Sequence, residues 1–144
     1  MPSETETPSS AADWLRYAKS DLALASIEKP EGAFLESHCF HTQPAAEKAL
    51  KAALISVEVD PPKTHNIRMP LDLLPEDIDI PEGVEESVIL TDYAVEFRYP
   101  GNTERVEEEE YRKAICLAES VVKWVQVFIH KDPPSSVSQI KDPN

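Results

Sequence analysis

Apolar residues recur every three or four positions through the middle of this sequence, a spacing that predicts amphipathic helices. The clearest run is Ile115, Ala118, Val122, Val125 and Ile129, which is almost unbroken. Apolar residues at every second position, typical of strands, are missing. Because short connections join long amphipathic segments, we expect an all-α fold, an up-and-down bundle of four to five helices.

Prolines lie at most of the boundaries between the helical segments. The predicted helices span about 12–29, 31–59, 65–74, 81–98 and 104–131. Pro44 falls inside the second segment, where it removes a backbone donor and clashes with the carbonyl four residues earlier. The second segment is therefore either kinked near residues 40–43 or split into two helices. We favour the kink, because the apolar stripe continues through it.

The length of 144 residues, an apolar content of 41% and only three Gly indicate one ordered domain. Residues 1–11 and 132–144 are dominated by Ser, Thr, Pro and charged residues, so we expect disordered tails on either side of a bundle at 12–131. The start of the sequence lacks a basic and apolar leader, and no stretch reaches the ~20 apolar residues of a membrane span. We expect a cytoplasmic location.

The balance of 27 acidic against 14 basic residues gives a formal charge of -13. Such a charge repels phosphate backbones at long range. Any binding of nucleotide or RNA is therefore expected to be local, in a small basic pocket.

Cys39 and Cys116 both lie in apolar-periodic segments without metal-type spacing, which predicts buried free thiols. No cofactor and no metal site are predicted. Glu47 and Lys51 are four residues apart, so we expect a favourable ion pair on a different face of the second helix from its apolar stripe.

Three short strings carry a resemblance to a known family. They are Gln-Pro-Ala-Ala-Glu-Lys-Ala-Leu-Lys-Ala at 43–52, Lys-Thr-His-Asn-Ile at 63–67 and Arg-Tyr-Pro-Gly-Asn at 98–102. Together they resemble the HEPN family, small helical proteins often encoded beside minimal nucleotidyltransferases. The resemblance covers about residues 12–130 and implies a homodimer with a nucleotidyltransferase-like protein as partner. Pro44 stands where the family usually has Gln.

Active members of the family are metal-independent endoribonucleases with an Arg, four to six intervening residues and a His. In that chemistry the Arg stabilises phosphate charge and the His transfers protons. Arg98 is followed by Tyr99, Pro100, Gly101, Asn102, Thr103, Glu104 and Arg105, with no His. Glu104 is a weak candidate base, because a carboxylate with a pKa of ~4.3 accepts protons poorly at neutral pH. The motif for catalysis is incomplete.

The candidate ligand-binding residues are Arg98, Tyr99, Asn102, Lys48, Lys51 and His65. Arg98 can hold a phosphate through its guanidinium fork or pair with a carboxylate, and Tyr99 can stack on a base or cover the end of the bundle. Lys48 and Lys51 are expected at a polar rim near Arg98. His65, at the start of the third helix, is expected to brace the turn there more than to transfer protons.

The acidic composition and the helical pattern favour a binding or interaction module. The resemblance implies its partner, a nucleotidyltransferase-like protein in a toxin and antitoxin type of pair. The alternative is a metal-independent endoribonuclease, a HEPN toxin, using Arg98 with a base other than His. A third hypothesis is a nucleotide sensor that uses Arg98, Tyr99 and Lys51.

Overall fold

Five helices and no strand make up the part of the chain that the computed structural model describes, residues 10–27, 31–32, 39–64, 66–91 and 107–130. The helices are α1 (Ala11–Ser26), α2 (Thr42–Ser56), α3 (Arg68–Leu73), α4 (Glu82–Glu86) and α5 (Glu108–His130). The all-α helical bundle is thus confirmed.

Helix α1 begins one residue earlier than predicted, because Ser10 caps it. The Ser10 hydroxyl accepts a hydrogen bond from the backbone N–H of Asp13 at 3.0 Å. The helix ends at Ser26, short of the predicted Lys29, and Ile27 turns into extended backbone. Its inner side is Trp14, Leu15, Ala18, Leu22 and Ala25, which contribute to the core.

Helix α2 is the central helix, and the core surrounds it. Its buried residues are Thr42, Gln43, Ala45, Ala46, Glu47, Ala49, Leu50, Lys51, Ala52, Ala53 and Leu54. The alanines suit this position, because their small side chains favour helix and let neighbouring helices approach closely. One apolar face was predicted, but nearly the whole circumference of the helix is covered.

The predicted irregularity before Pro44 is confirmed at His41. Cys39 and Phe40 are helical, His41 is in a turn, and α2 begins at Thr42. Pro44 therefore lies in the first turn of α2, where a missing backbone N–H leaves no hydrogen bond unmade. The Thr42 hydroxyl donates to the Cys39 carbonyl at 2.6 Å, across the interruption.

Contacts at the helix ends define how the three long helices run. Trp14, early in α1, meets Lys51, whereas Asp21, two turns later, meets Lys48 and His41, so these consecutive helices are antiparallel. The Tyr111 hydroxyl, in the first turn of α5, donates a hydrogen bond to the carbonyl of Ala25 near the end of α1. Helix α5 is therefore also antiparallel to α1 and runs parallel to α2.

The third and fourth helices are shorter than predicted. Helix α3 starts at Arg68 and packs on α2, while α4 packs on α5 and ends at Glu86. A turn at Ser87 and Val88 follows, with helical backbone again over residues 89–91. The remainder of the predicted fourth helix, 92–98, lies outside the described residues.

Helix α5 keeps the predicted stripe, with Ala118, Val122 and Val125 buried. Its first turn contains the acidic residues Glu108, Glu109 and Glu110, where they interact favourably with the helix dipole. No helix among the described ranges is long and apolar enough to cross a membrane.

The two cysteines have different environments. Both are free thiols, and Cys39 is fully buried as predicted. The predicted burial of Cys116 is wrong, because the core side of α5 passes through Ala114, Leu117 and Ala118 and leaves Cys116 exposed.

We expect Tyr111→Phe to lower the free energy of unfolding by about 1 kcal/mol, because it removes the hydrogen bond to Ala25.

Burial raises the pKa of Tyr111 above its usual value of 10.0, and Cys39 and Glu108 add to the shift. The unfolded chain therefore loses this proton first, so the stability from Tyr111 is present below pH 10.0 and lost as pH rises through the folded-state pKa. Urea unfolding at neutral and alkaline pH checks this, and an alkaline loss identical in the variant would contradict it.

Leu50→Asp and Val122→Asp should unfold the bundle, because each places an unpaired charge at a side chain no more than 3% exposed. Glu108→Ala should change the free energy of unfolding by less than about 0.5 kcal/mol, since Glu108 is exposed and its contact with Arg112 is a surface pair. Thermal melts followed by circular dichroism compare the three variants. Equal melting temperatures would mean that the assigned helix faces are wrong.

Candidate functional site between α1 and α2

The candidate site residues divide between described and undescribed parts of the chain. Lys48 and Lys51 lie on consecutive turns of α2. The other candidates, Arg98, Tyr99, Asn102, Glu104 and His65, lie outside the described residues. The site is therefore built below from α2 and the groups that contact its two lysines.

A row of polar side chains, Gln43, Glu47 and Lys51, follows one side of α2 at intervals of four residues. The Lys51 ammonium donates to Glu47 Oε2 at 2.8 Å, which confirms the predicted ion pair. The Gln43 side-chain amide donates to Glu47 Oε1 at 3.5 Å. The row is buried: the side chain of Lys51 is 7% exposed and that of Glu47 is 4% exposed.

Two further groups complete the surroundings of the Lys51 ammonium. It donates a second hydrogen bond to the backbone carbonyl of Thr64 at 3.1 Å. It also lies 5.3 Å from the centre of the Trp14 ring, in a cation–π contact with α1. Lys51 was predicted at a polar rim, but it is inside the bundle, where a charge persists only when it is paired and hydrogen-bonded.

The Thr64 carbonyl connects this row to the 63–67 string. The Thr64 hydroxyl accepts from the Asn66 N–H at 3.2 Å, and the Asn66 side-chain oxygen accepts from the Arg68 N–H at 2.7 Å, at the start of α3. The Ile67 N–H donates to the Thr91 hydroxyl at 3.1 Å. The residues on both sides of His65 are thus held by α2, α3 and the segment after α4.

Lys48 belongs to a separate cluster with Asp21 and His41. Its ammonium lies 2.8 Å from Asp21 Oδ2, and His41 Nδ1 lies 3.6 Å from Asp21 Oδ1. The Asp21 side chain is 14% exposed, while those of Lys48 and His41 are about one third exposed. The cluster joins the second half of α1 to the first half of α2 and is partly exposed.

Sequence reasoning missed Trp14, Asp21 and Thr64 as partners of the two lysines. Trp14 and Asp21 are seven residues apart, two turns on the same side of α1. That spacing is visible in the sequence, but it does not say which helix α1 faces. The recurrence of Gln43, Glu47 and Lys51 among alanines is the signal that could have indicated a polar row inside the core.

Comparison with known proteins places this arrangement in a family. The sequence matches the HEPN domain over residues 11–128. The chain belongs to the HEPN family. This HEPN chain is also similar to TT1696 from Thermus thermophilus, whose crystal structure superposes with a TM-score of 0.71 at 30% sequence identity. The match covers 82% of this chain and 97% of that one. A comparison with curated proteins found no match.

The arrangement in this HEPN bundle suits anchoring more than proton transfer at α2. The Lys51 ammonium donates to a carboxylate and to a carbonyl, and an indole covers it. Within the described part of the chain, no three His, Cys, Asp or Glu side chains are grouped as metal ligands would be. Of the two lysines, Lys48 is the more exposed, with 30% of its side chain accessible against 7% for Lys51.

Lys51→Met should destabilise the protein by about 3–5 kcal/mol, because it leaves the Glu47 carboxylate buried without its cation. Lys48→Met is the matched control on the next turn and should cost about 1 kcal/mol or less, since its pair with Asp21 is partly exposed. Chemical denaturation of both variants gives the comparison. Similar losses in the two would show that the buried pair has no special role in stability.

Proposed function

We propose that this HEPN protein is an interaction module rather than an enzyme. It forms a homodimer and acts with a nucleotidyltransferase-like protein in a toxin and antitoxin type of pair. A single phosphate group, of a nucleotide or of RNA, binds locally at Arg98 beside Tyr99 and Asn102.

The proposal rests on one observation: the polar residues Glu47 and Lys51 of the 43–52 string bind each other inside the bundle. Lys51 is paired with Glu47, bonded to the Thr64 carbonyl and covered by Trp14. These contacts stabilise the bundle and leave α2 without a buried lysine free for acid–base work. The sequence adds that no His follows Arg98 after the four to six intervening residues found in the family's ribonucleases.

The distribution of charge supports a protein partner over a nucleic acid. Residues 66–91, which include α3 and α4, contain seven acidic residues and one basic residue. The first turn of α5 adds further exposed carboxylates. Such a side repels the backbone of RNA and attracts a protein with a basic surface.

Purified protein incubated with a mixed RNA pool in EDTA tests the proposal, with Arg98→Ala and Arg112→Ala alongside. Arg112 is a suitable control, because it is an exposed arginine on α5 whose contact is the Glu108 carboxylate at 3.4 Å. We expect no cleavage by any of the three proteins. Cleavage lost in Arg98→Ala and retained in Arg112→Ala would overturn the proposal in favour of the endoribonuclease alternative.

Co-purification with the product of the neighbouring gene tests the partner. We expect a stable complex whose affinity falls as salt rises, because the contact relies on opposite charges. Failure of the two proteins to associate at low salt would contradict the partnership while leaving the RNA result unaffected.

A further inference from the structure

Helix α1 has a second apolar stripe on the side away from the core. Tyr17, Ser20, Leu24 and Ile27 recur at spacings of three and four, which places them along one line of the helix and the residue that ends it. Tyr17 is 40% exposed, Leu24 44% and Ile27 50%. We call these four residues the outer stripe. The inner side of α1 is already covered by α2 and α5, so the outer stripe adds nothing to the monomer core.

The outer stripe contains more exposed large apolar side chains than any other described element. Among the described residues, seven large apolar side chains are exposed, and three of them are Tyr17, Leu24 and Ile27. Contiguous exposed apolar patches are typical of protein–protein interaction sites.

The formal charge of helix α1 is balanced. Residues 10–27 contain two acidic and two basic residues. Beside the stripe, Arg16 pairs with Asp13 at 2.9 Å, and Asp21 pairs with Lys48 at 2.8 Å. Residues 66–91, with seven acidic residues against one basic, are the contrast.

This balance favours a second copy of the chain as the occupant. Two molecules that each carry a formal charge of -13 repel each other, and least where neutral surfaces meet. A basic partner would gain little from a stripe with no excess of carboxylates. The outer stripe has no charged residue of its own, and Ser20 lies between its apolar side chains, so it is complementary to itself, as a twofold interface requires.

We propose that two copies associate through the outer stripe of α1, packed α1 against α1 about a twofold axis. The inference rests on the homodimer in the proposed function and assigns its surface. The two Leu24 side chains lie near the axis, and Tyr17 of each copy lies against the end of the stripe, Ile27, of the other. The outer stripe runs from residue 17 to residue 27, so the contact extends about 15 Å along the helix.

The direction in which salt changes the dimer affinity should distinguish this dimer from a complex with a basic partner. Apolar contacts do not weaken with ionic strength, whereas the repulsion between the two acidic copies is screened. The dimer should therefore become tighter as salt rises. The complex with a basic partner, in contrast, should become weaker.

Analytical ultracentrifugation of the full chain at several protein concentrations and two salt concentrations tests the surface. We expect wild type to dimerise and Leu24→Glu and Tyr17→Glu each to raise the dimer dissociation constant more than about tenfold, a loss of about 1.4 kcal/mol or more. Val127→Glu is the matched control, because Val127 is 59% exposed on α5 and lies outside the stripe. It should dimerise as wild type does. Unchanged circular dichroism and melting temperature establish that the variants are folded.

The outcomes separate this inference from the proposed function. A wild-type dimer that Leu24→Glu and Tyr17→Glu leave intact would overturn the assigned surface while the homodimer stands. A wild-type monomer at high salt and high concentration would overturn both. A dimer weakened equally by Val127→Glu would also overturn the assignment, since the stripe would then have no special role.

Discussion

Burial of helix α2 on almost every side is the constraint on which the rest of this bundle depends. A central helix surrounded by α1, α3 and α5 cannot leave a charge unpaired, yet α2 contains Glu47 and Lys51. Their ion pair meets that requirement within one helix. The ammonium also contacts groups outside the helix, Thr64 and Trp14, so the pair helps to determine which neighbours can approach.

Contacts with both α2 and α5 hold helix α1 in position. Trp14 covers the buried lysine, and Asp21 two turns later binds Lys48 at the surface. Tyr111 then joins the end of α1 to the start of α5. Because α1 is held on its inner side by three contacts of different chemistry, its outer stripe is presented in a defined orientation, which is what a specific interface needs.

Charge is unevenly distributed along the described chain, and regions of different charge suit different binding partners. The α1 and α2 regions are formally neutral, while the region from α3 to the start of α5 carries most of the described excess of acid. A neutral apolar surface suits a like-charged second copy, and an acidic surface suits a basic protein. The proposed associations with a second copy and with a basic partner are expected to respond oppositely to salt.

Much of the fold could be predicted from local patterns, because period, prolines and caps act over a few residues. The inner faces of α1 and α5 and the irregularity before Pro44 follow from such patterns. The fourth helix was predicted too long, because Ser87 turns the chain where the apolar spacing continues, its hydroxyl bonded to the Val84 carbonyl at 2.6 Å. Of the candidate site, the Glu47–Lys51 pair was predicted, but its place inside the bundle was not.

The sequence by itself determined the helical class, the approximate helix segments, the net charge and, through three short strings, the family. The tertiary structure alone decided that Lys51 is buried, that Cys116 is exposed and that α5 runs parallel to α2. The physical reason is that helical periodicity reports which residues share a face, whereas burial depends on how many neighbours cover that face. A charged residue on a helix covered all round has the same local pattern as one in solvent, and only long-range packing distinguishes the two.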